Sequence, residues 1–504
     1  MQRENWTSLC NEIVAKYLSS QGYTESLHAL EKAAGNSSLV ADGYDGVPRN
    51  LRTLIEQSLS IVSAEALSRL QFEEKSTDAL DESAAQIKQD EKQTYAVEKS
   101  LEDLHSSNIL SIHTVSIPIH INGSWELTTA IATTGADKLI TISDPDSGEV
   151  HHILDNTAVP LKDGAVGHDS AVLDLSQNPK HQRFIASAGM DGRIVIWDMQ
   201  YARPYQTLKE HSRFVVRVTH SACGCFMASA GYDKKIVVYS VQGDSRSTIQ
   251  YAKIHEICLD ANPEAILFVP GPLKPPIEGR QVDGNKRTWL VFSQRGQVEL
   301  TYAAMPCSDM DQENSLNFTL LRYNTNPDPD DHYAGYSLLD LSLHPSGQYL
   351  CAQTGDHVAA QRGSPGDQSV SLGSLNSGDS LSRLLILPLF SQMRRTTLWT
   401  EAPSSTFSNP RHAWCENGCQ VWVTGEDGLL RQISIQGKVT ASIPCHGQLP
   451  AVDSHSKNAR HAATAAAWMR GGNTVIKGVI VLPDGRVASC GFDRTVKIVG
   501  KCHS

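Results

Sequence analysis

The feature that most constrains this 504-residue chain is a unit written twice in succession. Residues 166–199 read VGHDSAVLDLSQNPKHQRFIASAGMDGRIVIWDM, and residues 208–240 read LKEHSRFVVRVTHSACGCFMASAGYDKKIVVYS. Each copy opens on a His (His168, His211), runs through two apolar segments with strand-like alternation, and reaches Ser-Ala-Gly-x-Asp at 187–191 or 229–233. Ser187 and Asp191 thus answer to Ser229 and Asp233, and six residues after each Asp stands an aromatic, Trp197 or Tyr239. A repeat of this kind is stable only among neighbours that cover its faces, so two copies predict more.

These copies resemble the WD-repeat family, whose Gly-His and Trp-Asp dipeptides stand as Gly167-His168 and Trp197-Asp198. The resemblance implies a mainly β fold, a seven-bladed propeller of four-stranded blades. The strongest repeats cover 163–200 and 206–241. A first blade is expected at 126–144, with Thr133, Asp137 and Ser143 at the positions of Ser187, Asp191 and Trp197. Degraded fourth, fifth and sixth copies follow at 264–303, 336–389 and 411–435; a Pro-rich excursion breaks the fourth. A Ser/Gly-rich insert, about 359–382, breaks the fifth and is expected to be disordered. The seventh, 474–500, keeps Ser489 and Asp493 but has Val499 at the aromatic position and no His at the expected distance. Because the chain stops soon after a third strand, an N-terminal segment should supply the outer strand of that blade, and 108–115 (NILSIHTV) is the candidate.

His168, Ser187 and Asp191 have the composition of a nucleophilic triad. The same set recurs at His211, Ser229 and Asp233, and an active site has no reason to occur twice at one spacing. In the resembling family the His, Ser or Thr, Asp and aromatic of a blade form a buried hydrogen-bonded chain, which an unpaired buried Asp would need. The chain has no Gly-rich phosphate loop and no nucleophile elbow. His151-His152, Cys445-His446 and Cys502-His503 are adjacent pairs without further ligands near in sequence. The expectation is a non-enzymatic protein without a cofactor or metal.

Ahead of the repeats, Trp6, Leu9, Ile13 and Tyr17 recur at helical spacing with Val14 and Leu18 beside them, and Gly22 follows where a C-terminal cap would sit. A second short helix carries Leu27 and Leu30. This stretch resembles the LisH motif at Leu9, Tyr17-Leu18, Gly22-Tyr23, Ser26 and Glu31. That resemblance implies a homodimer formed through residues 1–36, with Leu9, Ile13, Tyr17, Leu18, Tyr23, Leu27 and Leu30 at the contact. Residues 37–104 read as a helical, acidic linker in which Leu80, Ile87, Thr94 and Leu101 fall a heptad apart, a possible coiled coil. Residues 105–504 are left for the propeller.

A net charge of -11 argues against nucleic acid as a direct partner, since binding phosphates needs concentrated Lys and Arg. No stretch approaches the roughly 20 apolar residues of a transmembrane helix. Scattered cysteines and an N-terminus unlike a secretory signal suggest an intracellular protein, cytoplasmic or nuclear. By resemblance, the residue before each blade's Asp opens onto the narrow face around the channel: Ala136, Met190, Tyr232 and Phe492, with Phe214 beside them. Such an apolar patch would take a peptide or helical segment of another protein. The layout recurs in ubiquitin-ligase subunits, transcriptional corepressors, splicing factors and trafficking adaptors. Trp197-Asp198-Met199-Gln200 lacks the Arg that ligase receptors often carry at the last position.

Overall fold

The computed structural model describes Leu80 and residues 94–502, apart from 122–123, 163, 245–247, 274–285, 307–318, 327–334, 357–380, 392–394, 405–408 and 448–473. The LisH-like residues 1–36, most of the linker and most of the Ser/Gly-rich insert lie outside the described residues.

The described residues form seven antiparallel sheets of four strands each. Strand β1 (Tyr95–Leu101) comes first in the chain and belongs to the last sheet. The first blade holds β2 (Ile109–Ile121), β3 (Ser124–Gly135), β4 (Ile140–Ser143) and β5 (Val150–Leu154). The second holds β6 (Val172–Gln177), β7 (Phe184–Gly189), β8 (Ile194–Asp198) and β9 (Arg203–Leu208). The third holds β10 (Val215–His220), β11 (Phe226–Gly231), β12 (Lys235–Asp244) and β13 (Thr248–Cys258). In the fourth are β14 (Pro263–Pro272), β15 (Lys286–Gln294), β16 (Glu299–Ala304) and β17 (Leu320–Asn324). In the fifth are β18 (Tyr336–Leu343), β19 (Tyr349–Asp356), β20 (Leu381–Pro388) and β21 (Thr396–Pro403). The sixth contains β22 (His412–Trp414), β23 (Gln420–Val423), β24 (Leu429–Ser434) and β25 (Val439–Pro444). The seventh contains β26 (Ile476–Val481), β27 (Val487–Gly491) and β28 (Val496–Lys501), completed by β1.

The middle strands of each blade are largely buried on both faces, whereas outer strands such as β1, β5, β13 and β25 are partly exposed. In the second blade Ala186, Ala188, Ile194 and Ile196 pack against Val215, Val218, Met227 and Tyr239 of the third. Their neighbours Ile185, Val195 and Trp197 point the other way, onto Ala132, Ile140 and Ile142 of the first. The period-two alternation of a strand here divides one core face from another rather than core from solvent. Similar clusters fill every junction around the ring, including that between the seventh and first blades. Leu80, 4% exposed, fills part of the junction between the fifth and sixth blades, among Tyr349, Leu384, Ile386 and Val421.

The ring closes differently from the sequence expectation. Residues 109–115 of that candidate belong to β2, the innermost strand of the first blade, while β1 pairs antiparallel with β28 from Tyr95↔Lys501 to Leu101↔Val496. The helical heptad reading therefore fails over 95–104. Leu101 and Leu104 pack with Ile109, Val496 and Ile498 between the seventh and first blades, and the ring of Tyr95 meets Trp422 edge-on at 5.0 Å. The propeller thus begins inside the segment expected to be linker.

In six blades the pairing of the innermost strand slips near its start, at Leu110, Leu173, Val216, Glu264 with Ala265, Leu339 and Lys477. A bulge bends the strand and re-aims the side chains around it. Just beyond these slips, Ser111, Asp174, Arg217, Ile266 and Asp340 line an axial cavity of about 550 Å³, together with His412 and Lys477.

Candidate functional site

The repeated His, Ser and Asp come together inside each marked blade. Nδ1 of His168 lies 3.1 Å from Asp191, its Nε2 lies 2.7 Å from Ser187 Oγ, and the indole N–H of Trp197 donates to the same Oγ at 2.8 Å. One tautomer satisfies all of them: Nδ1–H donates to the carboxylate, and Nε2 accepts from the Ser hydroxyl. Asp191 also accepts the main-chain N–H groups of Asp169 and Arg193. The glycine of Ser-Ala-Gly makes room for this chain, since a Cβ on Gly189 would stand 2.4 Å from His168 Nδ1.

The third blade repeats the set with His211, Asp233 at 2.9 Å and Ser229 at 2.8 Å. Its aromatic does not complete the chain: the buried Tyr239 hydroxyl lies near Ser229 but outside hydrogen-bonding geometry. In the first blade Thr133 and Asp137 are joined by His105, at 2.9 Å each, and the buried Ser143 hydroxyl at the aromatic position has no partner. In the seventh, Ser489 and Asp493 are joined by His446, again at 2.9 Å each. The expectation that the last repeat lacks its His is corrected: the His is present, displaced in sequence by the stretch 448–473. Val499, at the aromatic position, is fully buried against the sixth blade.

Burial pushes the Asp137, Asp191 and Asp493 carboxyls up, but the His partner and main-chain N–H donors outweigh it and hold all three below the ordinary carboxylate range. Burial pulls His211 down despite Asp233. Each of the four histidines is braced on a carboxylate whose side chain is only 4–15% exposed.

A second tie between blades escaped the sequence reading, although the signal is plain. Leu-Asp-Leu-Ser occurs at 173–176 and again at 339–342. Asp174 accepts the N–H of Val218 and Asp340 that of His412, each in the next blade. Ser176 Oγ lies 2.9 Å from His220 Nδ1, and Ser342 Oγ lies 2.6 Å from His412 Nε2. Asp340 also takes Arg411 at 2.6 Å, and Asp174 takes His113 at 3.2 Å.

The residues expected on the narrow face lie on one edge of four adjacent blades. The turn N–H groups of Ala136, Met190, Tyr232 and Phe492 donate to carbonyls at the segment leading into the innermost strand, those of Asn108, Ala171, Phe214 and Val475. Phe214 is 42% exposed; Ala136, Met190, Tyr232 and Phe492 are partly exposed. Tyr232 is not a simple apolar contact, because its hydroxyl donates to Glu264 at 3.3 Å, and Glu264 is itself held by Arg295.

Seven such blades, four of them tied by a His between Asp and Ser or Thr, define a seven-bladed β-propeller that contains WD40 repeats. Residues 162–198 and 202–240 match the family described as WD domain, G-beta repeat. The chain is similar to Protein hir-1 of Neurospora crassa, 26% identical over 165 residues, which is 31% of this chain and 15% of that protein. It is also similar to human Protein NEDD1, 29% identical over 90 residues, 18% of this chain and 13% of that one. The Small ribosomal subunit protein RACK1 of Candida albicans is 29% identical over 96 residues, 18% of this chain and 30% of its own length. The chain therefore spans less than a third of each of these relatives. A WD40 propeller is consistent with a protein-interaction scaffold. Among the described residues no group of three or more His, Cys, Asp and Glu could hold a metal, and no helix is long and apolar enough to cross a membrane.

Proposed function

We propose that this protein is a non-enzymatic scaffold that captures a segment of a partner protein on the narrow face of its propeller. The observation that carries this reading is the exposed ring of Phe214, flanked by the partly exposed Met190, Tyr232 and Phe492, on one edge of four adjacent blades. An anchor of this kind, with a rim that excludes water, is where binding energy concentrates in protein interfaces. The face is rigid because the His–Asp chains beneath it fix each turn, so little conformational entropy is lost on binding. Homodimerisation through residues 1–36 is part of the proposal, and two propellers per particle would raise avidity for a multivalent partner without stronger single contacts.

The test is capture of partners from a lysate by the wild type and by a Phe214→Glu, Phe492→Glu variant, with thermal melting of both. Loss of the co-purifying proteins at an unchanged melting temperature supports the reading. An unchanged set of partners overturns it. Light scattering beside a chain lacking residues 1–36 tests the dimer, and equal mass per particle, after allowing for the residues removed, would sink it.

A further inference from the structure

In six blades the turn between the second and third strands, which carries the Asp where the blade has one, places one residue in the left-handed region. Glycine occupies that position in the second, fourth and sixth blades (Gly192 at φ 76°, Gly296 at 71°, Gly428 at 77°). In the first, third and seventh blades the residue is basic: Lys138 at φ 72°, Lys234 at 63° and Arg494 at 66°. A side chain in this conformation costs about 1 kcal/mol that glycine avoids. Glycine is required where the backbone of the next blade crowds the turn, as at Gly428, whose Cβ would stand 2.2 Å from His446 O. Gly296 has nothing within 4 Å of such a Cβ, so crowding alone does not set the choice; at three of the six turns this chain accepts the strain, each time for a cation. Strain held at equivalent positions points to use of the side chain rather than of the turn.

The three cations are exposed, as is Arg213 on the same edge. Lys138, Lys234 and Arg213 meet no carboxylate among the described residues, and Arg494 reaches only the carbonyl of Ser106, at 3.3 Å. The four Asp side chains beneath them are turned inward onto His and main-chain N–H donors. Asp169, also on this edge, is taken by Arg193 at 2.6 Å. Exposed Asp103 and Asp260 lie farther out, just past the ends of the outer strands β1 and β13. Toward the axis both signs occur: Glu264 and Glu426 face Lys477, and Asp174 and Asp340 line the axial cavity beside Arg217. Lys477 Nζ stands 5.6 Å from the centre of the Phe492 ring, and among the described residues Arg217 donates to the carbonyls of Glu264 and Leu339. On a chain of net charge -11, this one edge gathers Lys138, Lys234, Arg213 and Arg494, which meet no carboxylate among the described residues, between exposed and partly exposed apolar side chains.

Resting on the docking face described above, we propose that the segment it takes is acidic. Carboxylate side chains of the partner pair with Lys138, Lys234 and Arg494 while its apolar side chains pack on Met190, Phe214 and Phe492. A peptide fits better than a nucleic acid, because the cations are few and interleaved with apolar side chains, which a phosphate backbone has nothing to pack against.

The test uses the full-length protein and three fluorescein-labelled synthetic peptides with the same Leu and Phe positions, the intervening positions being all Glu, all Gln or all Lys. Binding is read by anisotropy at low and high salt for the wild type and for the triple variant Lys138→Gly, Lys234→Gly, Arg494→Gly. That variant removes charge while relieving backbone strain, so its melting temperature should hold or rise, and folding failure cannot mimic lost binding. The expected result is a Glu peptide bound about tenfold or more tighter than the Gln peptide, with the advantage lost in the triple variant and at high salt. Equal affinity for Glu and Gln peptides overturns the acidic preference while leaving the docking face intact. If none of the peptides binds, the acidic-segment proposal falls, and the Phe214→Glu, Phe492→Glu capture experiment separately decides the face. A duplex oligonucleotide that binds as tightly as the Glu peptide, with the same loss in the triple variant, makes the edge a general polyanion surface and also overturns the proposal.

Discussion

Nδ1 of His446 lies 2.9 Å from Oδ1 of Asp493, although 47 positions part them in the chain against 23 for His168 and Asp191. The contact fixes the last blade with the same chain of bonds used in the first three. Replacing His446 by Ala leaves a carboxylate and the Ser489 hydroxyl without their partner. A loss of about 1–3 kcal/mol in urea denaturation is expected, and His105→Ala and His168→Ala should match it. A neutral His446→Ala would show that the seventh blade needs no such brace.

The aromatic position separates a bonded from an unbonded member. Trp197 donates to Ser187, whereas the Tyr239 hydroxyl is buried without a partner. Tyr239→Phe removes an unsatisfied group and should be neutral or stabilising by up to about 1 kcal/mol, while Trp197→Phe loses both a hydrogen bond and volume and should cost about 2 kcal/mol or more. Equal destabilisation in the two denaturation curves would contradict the difference in bonding.

The two Leu-Asp-Leu-Ser ties hold histidines that titrate in opposite directions. Burial pushes His220 down to about 3 from its ordinary 6.5. Burial also pulls on His412, but Cys351 and the Asp340 carboxylate beside it outweigh the pull and raise it to about 10. A folded value below the unfolded one means that stability falls as pH drops from 6.5 toward 3, because the unfolded chain takes the proton first. A folded value above it means a contribution complete below 6.5 and lost as pH rises through about 10. His220→Gln should therefore flatten the acid limb of the urea midpoint against pH, leaving the slope from the other lowered groups, among them His152, His181, His211 and His255 and the Asp137, Asp191 and Asp493 carboxyls, and His412→Gln should flatten the alkaline limb. Unaltered limbs would exclude these two groups as the cause.

Lys477 stands at a slip position that four other blades fill with Leu110, Leu173, Val216 and Leu339. Burial, with Arg217 facing it, lowers its ammonium from 10.5 to about 8, against the opposing pull of Cys490, Glu426 and Glu264. Below about pH 8 the charged group costs stability, and the cost is relieved as pH rises through 8 toward 10.5. Lys477→Leu is expected to stabilise the fold at pH 7 by roughly 1 kcal/mol, with a smaller gain at pH 9. A gain that does not shrink with pH would assign the effect to packing instead.

What the sequence made legible follows from how far apart partners lie along the chain. The His, Ser and Asp of the second and third blades fall within one uninterrupted repeat, so spacing alone brought them together. His446 was hidden because 448–473 intervenes, and His105 because its blade carries a Thr and lacks the terminal aromatic. The Leu-Asp-Leu-Ser ties were open to inspection at 173–176 and 339–342, but their partners sit in the following blade, where no local pattern points. The basic side chains at Lys138, Lys234 and Arg494 were equally visible as letters. Only the positive φ at each, matched by glycine elsewhere in the ring, marks them as a set.

The closing strand is the hardest element to read from sequence, since Ser100 and Lys497 meet across 397 positions. Its removal gives the clearest test of how the ring holds. A chain beginning at residue 103 keeps every His–Asp contact but leaves β28 as an open edge and strips the Tyr95 ring from Trp422. It also removes Leu101 from the junction between the seventh and first blades. An open edge bearing unpaired N–H and C=O groups is a template for pairing with other copies. The truncated chain should therefore melt lower and scatter light as growing aggregates, whereas a chain beginning at residue 94 should stay monodisperse. A synthetic peptide covering 94–102, added in excess, should restore part of the melting temperature by supplying the strand in trans. If the chain from residue 103 melts like the longer one, closure by β1 contributes nothing to stability, and the junction clusters alone keep the ring shut.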